Sequence, residues 1–111
     1  MNITIYHNPR CSKSREALGL LEEQGVHVKV MEYLKQPLSL AELRSLRQHF
    51  SFDSFVRSNE HLFKELQLNM EDEDAVLQAM SEHPKLMQRP IVVAGDKAMI
   101  GRPPEKILEL L

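Results

Sequence analysis

The residues that could do chemistry lie in one short segment near the N-terminus. Cys11, the single cysteine of the chain, stands between a β-prone segment and the start of a predicted helix. Unpaired backbone N–H groups and the helix dipole favour negative charge at that position, and the thiolate is the nucleophilic form of cysteine. Three cations, Arg10, Lys13 and Arg15, lie within four residues of Cys11. The segment therefore predicts a reactive thiol, although a lone cysteine can also be a small buried hydrophobe.

The composition narrows the class of protein. The chain has 111 residues, of which 42% are hydrophobic and 27% charged, as is usual for a soluble globular protein. This length predicts a single domain, residues 1–111. A net charge of −2 gives no indication of nucleic-acid binding, and no apolar run is long enough to span a membrane. One cysteine cannot form an internal disulfide and no secretory signal pattern is present, so we expect a cytoplasmic protein.

The first third of the chain predicts a strand, a helix and a second strand. Residues 2–6 are β-prone, and the Asn8-Pro9 pair ends the strand. Gly25 is a suitable end for the following helix, and residues 26–33 alternate as a strand does. One face of the helix carries Ser14, Ala17, Leu18 and Leu21. A strand–helix–strand unit of this length predicts two parallel strands.

The remainder predicts a helical block followed by a hairpin and a last helix. Ser39 and Glu42 form a capping box, and helices are predicted after it, within residues 51–69 and from about 72 to 82. Residues 90–94 and 97–100 predict a β-hairpin, and a final helix follows with Ile107, Leu108 and Leu111 on one face. The order βαβ then ββα predicts an α/β fold. We expect a thioredoxin-like, four-stranded mixed sheet with a helical insert at about residues 39–86.

Three blocks of the sequence resemble the glutaredoxin-coupled arsenate reductase family. They are IYHNPRCSKSR at residues 5–15, HPKLMQRPIVV at residues 83–93 and GRPPE at residues 101–105. The blocks occur in the family's order, and the resemblance covers essentially the whole chain. In such enzymes a cysteine attacks arsenate, arginines hold the oxyanion, and glutathione with glutaredoxin completes the reduction. The resemblance implies a cytoplasmic oxidoreductase of arsenic detoxification, with glutathione as co-substrate, glutaredoxin as partner, and no bound cofactor or metal.

The resemblance also assigns roles by position. Cys11 is the expected nucleophile, and His7 and Ser14 are expected to support its thiolate. Since thioredoxin-like folds place a cis proline opposite the nucleophile, we expect a cis bond before Pro90. The oxyanion-binding residues are expected to be Arg57, Arg89 and Arg102. Forked guanidinium groups suit arsenate, a tetrahedral anion, because they bind its oxygens in pairs.

The cysteine segment also argues against two related mechanisms. Ser14 stands where a dithiol oxidoreductase has its second cysteine, so an external thiol must supply the second sulfur, and the Ser14 hydroxyl could hydrogen-bond the thiolate. Ala17 stands where the phosphatase-like arsenate reductases have arginine, and Ser12 replaces a glycine that many arsenate reductases carry. The five histidines show no metal-ligand spacing.

Two other functions remain open on the sequence. One is a glutathione-dependent thiol–disulfide oxidoreductase without arsenate specificity. The other is a non-catalytic regulator of the same fold that binds RNA polymerase, although such proteins often carry a paired-cysteine switch that is absent here. The three arginines favour an enzyme, because an interaction module needs no oxyanion pocket.

Overall fold

The computed structural model of the chain describes residues 2–111, which form two compact units. The first unit contains Gln36 and the residues before it, together with Arg89–Leu111. The second unit is Pro37–Gln88, and it spans the predicted helical insert. The assignment of the whole chain to one domain stays a prediction. No helix among the described residues is long and apolar enough to cross a membrane.

A four-stranded mixed sheet forms the centre of the first unit. Its strands are β1 (Ile3–Tyr6), β2 (Val28–Met31), β3 (Ile91–Ala94) and β4 (Lys97–Ile100), in the order β2-β1-β3-β4. β1 and β2 are parallel, whereas β1–β3 and β3–β4 are antiparallel. The predicted α/β fold with thioredoxin-like strand order is therefore confirmed. β2 is shorter than the predicted residues 26–33, because only four residues of β1 are there to pair with it.

Helix α1 (Ser12–Glu23) joins the two parallel strands and covers the sheet. Ser14, Ala17 and Leu21 are buried on its predicted face. The helix ends as expected, since Gly25 takes a φ of +71° that suits glycine. The core beneath α1 and the C-terminal segment consists of Ile3, Ile5, Ala17, Leu21, Val92, Ala94, Ile107 and Leu110. Burial of side chains of the size of leucine or isoleucine contributes about 1.5–3 kcal/mol each, so this core fixes the position of α1 on the sheet.

The C-terminal segment differs from the expected helix. Pro104–Leu110 forms a 3₁₀ helix, and Pro104, Ile107 and Leu110 are its buried residues. Their spacing of three matches a helix with three residues per turn, in which every third side chain lies on the same face. The predicted face was wrong for Leu111, which is 45% exposed. The three-residue spacing of the side chains that pack on the core therefore matches the 3₁₀ form of this segment.

The second unit is helical. Its elements are α2 (Leu40–Arg47), α3 (Phe52–Phe55), α4 (His61–Glu65), α5 (Glu73–Glu82) and a 3₁₀ turn at Pro84–Leu86. The capping box before α2 is confirmed: the Glu42 N–H donates to Ser39 Oγ at 3.2 Å, and the Ser39 N–H donates to Glu42 Oε1 at 3.0 Å. α2 and α5 are joined by an ion pair between Arg47 and Glu73 at 2.7 Å.

Candidate functional site

A tight turn between β1 and α1 places the thiol at the helix start. The Cys11 N–H donates to the Asn8 carbonyl at 3.0 Å, and the Arg10 N–H donates to Asn8 Oδ1 at 3.0 Å. Arg15 reaches back from the helix, where Nη1 donates to the Pro9 carbonyl at 2.9 Å. Cys11 is the N-cap of α1, with extended backbone angles, and its side chain is partly exposed. The thiol can therefore meet a substrate in solvent.

A buried polar pair holds this turn against the helix. His7 is 6% exposed and Ser14 is fully buried, and they are the buried polar residues of the part of the chain that the structure describes. His7 Nδ1 and Ser14 Oγ share a hydrogen bond of 2.7 Å, and the Asn8 N–H donates to the same hydroxyl at 3.0 Å. Burial lowers the pKa of His7, with Arg15 adding to the lowering and Glu32 opposing it. His7 is therefore a neutral imidazole near pH 7.

This pair corrects the expected role of the Ser14 hydroxyl. The hydroxyl binds His7 and the Asn8 N–H rather than the thiolate. Ser14 acts on the sulfur through its backbone N–H, which lowers the pKa of Cys11. The sequence could not distinguish these two contacts, because both are available to a serine three residues after a cysteine.

Several groups together lower the pKa of the Cys11 thiol. Burial acts to raise this pKa, but the N–H groups of Ser14 and Lys13 and the charges of Arg89 and Arg102 outweigh it. The predicted activation of the thiol by the helix start thus agrees with the structure. The contributing guanidinium groups come from residues distant in sequence, and Lys13 contributes through its backbone.

Two of the three predicted arginines act on the thiol, Arg102 through a contact and Arg89 through its charge, which lowers the pKa of Cys11. Arg102 Nη2 is 3.8 Å from Cys11 Sγ, and Arg102 Nε donates to the Arg89 carbonyl at 2.8 Å. Arg102 is exposed and Arg89 is half-buried. A thiolate beside two guanidinium groups can receive a tetrahedral oxyanion, because the arginines supply paired donors and keep their charge.

The third predicted arginine belongs to the second unit. Arg57 Nη2 forms an ion pair with Glu60 Oε2 at 3.0 Å, and Nη1 donates to the Lys85 carbonyl at 3.1 Å. Its backbone N–H donates to the Leu86 carbonyl at 2.7 Å. Arg57 is thus tied to the turn around Pro84–Leu86, and its contact with an oxyanion stays a prediction.

The chain before β3 and after β4 carries the two arginines on proline-containing segments. The predicted cis bond between Arg89 and Pro90 is confirmed, and a second cis bond joins Arg102 and Pro103. Gly101 donates its N–H to the Pro90 carbonyl at 2.9 Å. A Cβ on Gly101 would lie 2.8 Å from Pro90 Cγ, so only glycine fits without a shift of its neighbours. Sequence reasoning did not single out Gly101, although it directly precedes Arg102. The position of Pro90 opposite the thiol stays a prediction.

Comparisons with known proteins match nearly the whole chain. Residues 6–110 match the model of the ArsC family. A protein of Escherichia coli K12 named "Uncharacterized protein YfgD" is 52% identical, covering 98% of this chain and 96% of its own length. An arsenate reductase of Haemophilus influenzae is 45% identical over the full length of both proteins. The solved structure of an arsenate reductase from Vibrio cholerae is 48% identical with a TM-score of 0.91, covering 100% of this chain and 98% of its own.

Proposed function

Because the chain belongs to the ArsC family, we propose that it is an arsenate reductase that uses Cys11 as its nucleophile and glutathione with glutaredoxin as reductants. The observation that carries this proposal is the 3.8 Å distance between Arg102 Nη2 and Cys11 Sγ, at a thiol whose pKa is lowered. The names of relatives such as the Haemophilus influenzae arsenate reductase support the substrate.

The first step is attack of the Cys11 thiolate on arsenate. A sulfur–arsenic bond forms, one arsenic–oxygen bond breaks, and that oxygen leaves as water with both protons of the dihydrogen arsenate anion. Arg89 and Arg102 stabilise the charge on the remaining oxygens, as preorganised donors do for developing oxyanions. Arsenic stays in the pentavalent state during this step.

The second step needs an external thiol, because the chain has no other cysteine. Glutathione attacks the Cys11 sulfur, the sulfur–arsenic bond breaks, and its electron pair leaves with arsenic as arsenite. Two sulfurs have then lost one electron each and arsenic has gained two. The product on the enzyme is a mixed disulfide of Cys11 and glutathione. Glutaredoxin attacks the glutathione sulfur of this disulfide and releases the Cys11 thiolate. Since these reductants belong to the reducing interior of the cell, we propose a cytoplasmic location.

A coupled assay tests this function directly. Purified protein is mixed with arsenate, glutathione, glutaredoxin, glutathione reductase and NADPH, and NADPH consumption is followed. Turnover that requires arsenate and is abolished by Cys11→Ser is the expected result. Arsenate-dependent turnover without any external thiol would contradict the mechanism. Arsenate-independent turnover on a disulfide would instead identify a glutathione-dependent oxidoreductase.

Arginine substitutions test the oxyanion site. Arg89→Lys and Arg102→Lys keep the charge but remove the forked donors, so each should lower kcat/KM for arsenate at least about tenfold. Arg44→Lys is the matched control, because Arg44 is an exposed arginine of α2 whose ion pair with Asp74 is 3.5 Å long. Equal activities of the Arg102→Lys and Arg44→Lys proteins would remove Arg102 from the proposed site. The same measurement on Arg57→Lys decides whether the third arginine contributes.

A further inference from the structure

A small cleft opens beside the turn that carries the thiol. Its volume is about 200 Å³, equal to the liquid volume of about seven water molecules. One wall consists of His7, Asn8, Pro9 and Arg10, which lead directly into Cys11. The opposite wall is Glu32, Leu34 and Lys35, which follow β2. Since the Cys11 N–H bonds to the Asn8 carbonyl at 3.0 Å, a single turn separates the cleft from the thiol.

The surface of the cleft is mostly apolar, and charged residues of both signs are among those that line it. Arg10 and Lys35 supply two cations and Glu32 one carboxylate. Lys35 Nζ and Glu32 Oε1 are 3.5 Å apart, in an exposed ion pair that a ligand could rearrange because such pairs are weak. The Leu34 side chain, at 41% exposure, contributes apolar surface to the cleft.

Arg89 and Arg102 do not line this cleft. The groups proposed to hold the oxyanion are therefore separate from the cleft, although both sets lie near Cys11. An enzyme in which an external thiol attacks the cysteine–oxyanion adduct must hold two ligands at once. The cleft is available for the external thiol, while the arginines hold the oxyanion.

We propose that this cleft binds the peptide part of glutathione and delivers its sulfur to Cys11; the identity of the ligand rests on the function proposed above. Glutathione carries two carboxylates and one ammonium group, which complement the two cations and one carboxylate of the cleft. Its thiol lies in the middle of the tripeptide, between the two charged ends. Arg10 and Lys35 each bind one carboxylate, Glu32 binds the ammonium, and Leu34 contacts the methylene groups.

The test uses a reaction that contains no arsenate. The Cys11 thiolate attacks glutathione disulfide, one sulfur–sulfur bond breaks, a mixed disulfide with Cys11 forms, and one glutathione thiolate leaves. Intact-protein mass spectrometry gives the rate. Two comparison substrates are 2-hydroxyethyl disulfide, which is uncharged, and 3,3′-dithiodipropionate, which has two carboxylates but no ammonium. The ratio of rates between substrates cancels any change in the reactivity of Cys11 itself.

Three variants each remove one charge of the cleft. Arg10→Gln and Lys35→Gln should each slow the reaction of glutathione disulfide about three- to fivefold relative to 2-hydroxyethyl disulfide, the size expected for an exposed charge pair. Glu32→Gln should slow glutathione disulfide by a similar factor without slowing 3,3′-dithiodipropionate. Lys97→Gln is the matched control, because Lys97 is exposed on β4 and absent from the cleft, and it should leave every ratio unchanged.

Two results would overturn the proposal. One is an equal slowing of both anionic disulfides by Lys97→Gln and by the cleft variants, which would show a general effect of net charge. The other is a Glu32→Gln protein that keeps the wild-type rate ratios for all three substrates. If the ratios change as expected in a protein that does not turn over arsenate, the proposed function fails and the cleft assignment stands.

Discussion

Replacing Ser14 by alanine removes a buried hydroxyl on which two other groups depend. The hydroxyl shares a 2.7 Å hydrogen bond with His7 Nδ1 and accepts the Asn8 N–H at 3.0 Å. Ser14 is fully buried, so water cannot replace the lost oxygen without a rearrangement. Ser14→Ala therefore leaves a backbone donor and an imidazole nitrogen without their partner, at the turn that positions Cys11.

The expected loss of stability follows from these two contacts. A typical hydrogen bond contributes about 1 kcal/mol net, and a buried group left without its partner costs about 1–3 kcal/mol. For the two groups together we expect the free energy of unfolding to fall by about 2–4 kcal/mol. In a chain of this size the corresponding fall in Tm is about 9–17 °C.

Thermal and urea unfolding measure this loss of stability, and a second serine of α1 serves as the control. Ser12 is the first residue of α1 and is exposed, so Ser12→Ala should change the free energy of unfolding by less than about 0.5 kcal/mol. A double-mutant cycle that combines Ser14→Ala with His7→Ala should give a coupling energy of at least about 0.5 kcal/mol. A Ser14→Ala protein as stable as Ser12→Ala would refute the assigned role of the hydroxyl.

The same variant separates the two possible actions of Ser14 on the thiol. Alanine keeps the backbone N–H that lowers the pKa of Cys11. The pH midpoint of Cys11 alkylation by iodoacetamide should therefore stay close to that of the wild-type protein. A midpoint raised to the ordinary cysteine value of about 8.5 would restore the hydroxyl as the group that supports the thiolate.

Three further predictions follow from the geometry. Because burial lowers the pKa of His7, the unfolded chain binds more protons than the folded one below pH ~6.5, so stability should fall as the pH falls from about 7 to 5. In urea unfolding, the free energy of unfolding of His7→Gln should depend less on pH than that of the wild-type protein. An equal pH dependence of the two proteins would contradict this. Arg102→Gln should raise the pKa of Cys11, seen as a higher alkylation midpoint, and an unmoved midpoint would contradict the 3.8 Å contact. Gly101→Ala should destabilise the protein by about 1–3 kcal/mol in thermal unfolding, since its Cβ would lie 2.8 Å from a ring carbon. Gly19→Ala is the control: its added Cβ meets nothing within 4 Å in the middle of α1, so it should stabilise the protein by about 0.5–1 kcal/mol. Equal changes in stability for Gly101→Ala and Gly19→Ala would exclude the steric argument.

The local elements could be predicted because their signals lie within a few residues. The Ser39–Glu42 capping box joins positions three apart, and the positive φ of Gly25 directly follows the end of α1. Likewise, the short apolar run at residues 91–94 and the Gly95-Asp96 turn after it indicate the hairpin of β3 and β4. The order of these elements along the chain allows few sheet topologies, and the structure has the predicted mixed four-stranded sheet.

The candidate site was in part predictable from the sequence and in part decided by the tertiary structure. The position of Cys11 at a helix start was readable from the sequence, because a β-prone segment, a proline and a helical pattern follow one another. The approach of Arg102 to Cys11 was not readable from spacing, since 91 residues separate them and only the pairing of β1 with β3 and β3 with β4 closes the gap. The resemblance named these arginines, and the sheet brings Arg89 and Arg102 to the thiol.

The sequence by itself determined most helices and strands, because their signals lie in neighbouring residues. It also predicts Cys11 as the nucleophile and the need for an external thiol, from the segment around Cys11 and from counting cysteines. Tertiary structure decided which atoms of Ser14 act on His7 and on Cys11, since a hydroxyl and a backbone N–H of one residue point in different directions. It also decided the 3₁₀ form of Pro104–Leu110 and the cleft between Asn8–Arg10 and the residues after β2. These features arise where segments distant in sequence pack together, and no local pattern specifies that contact.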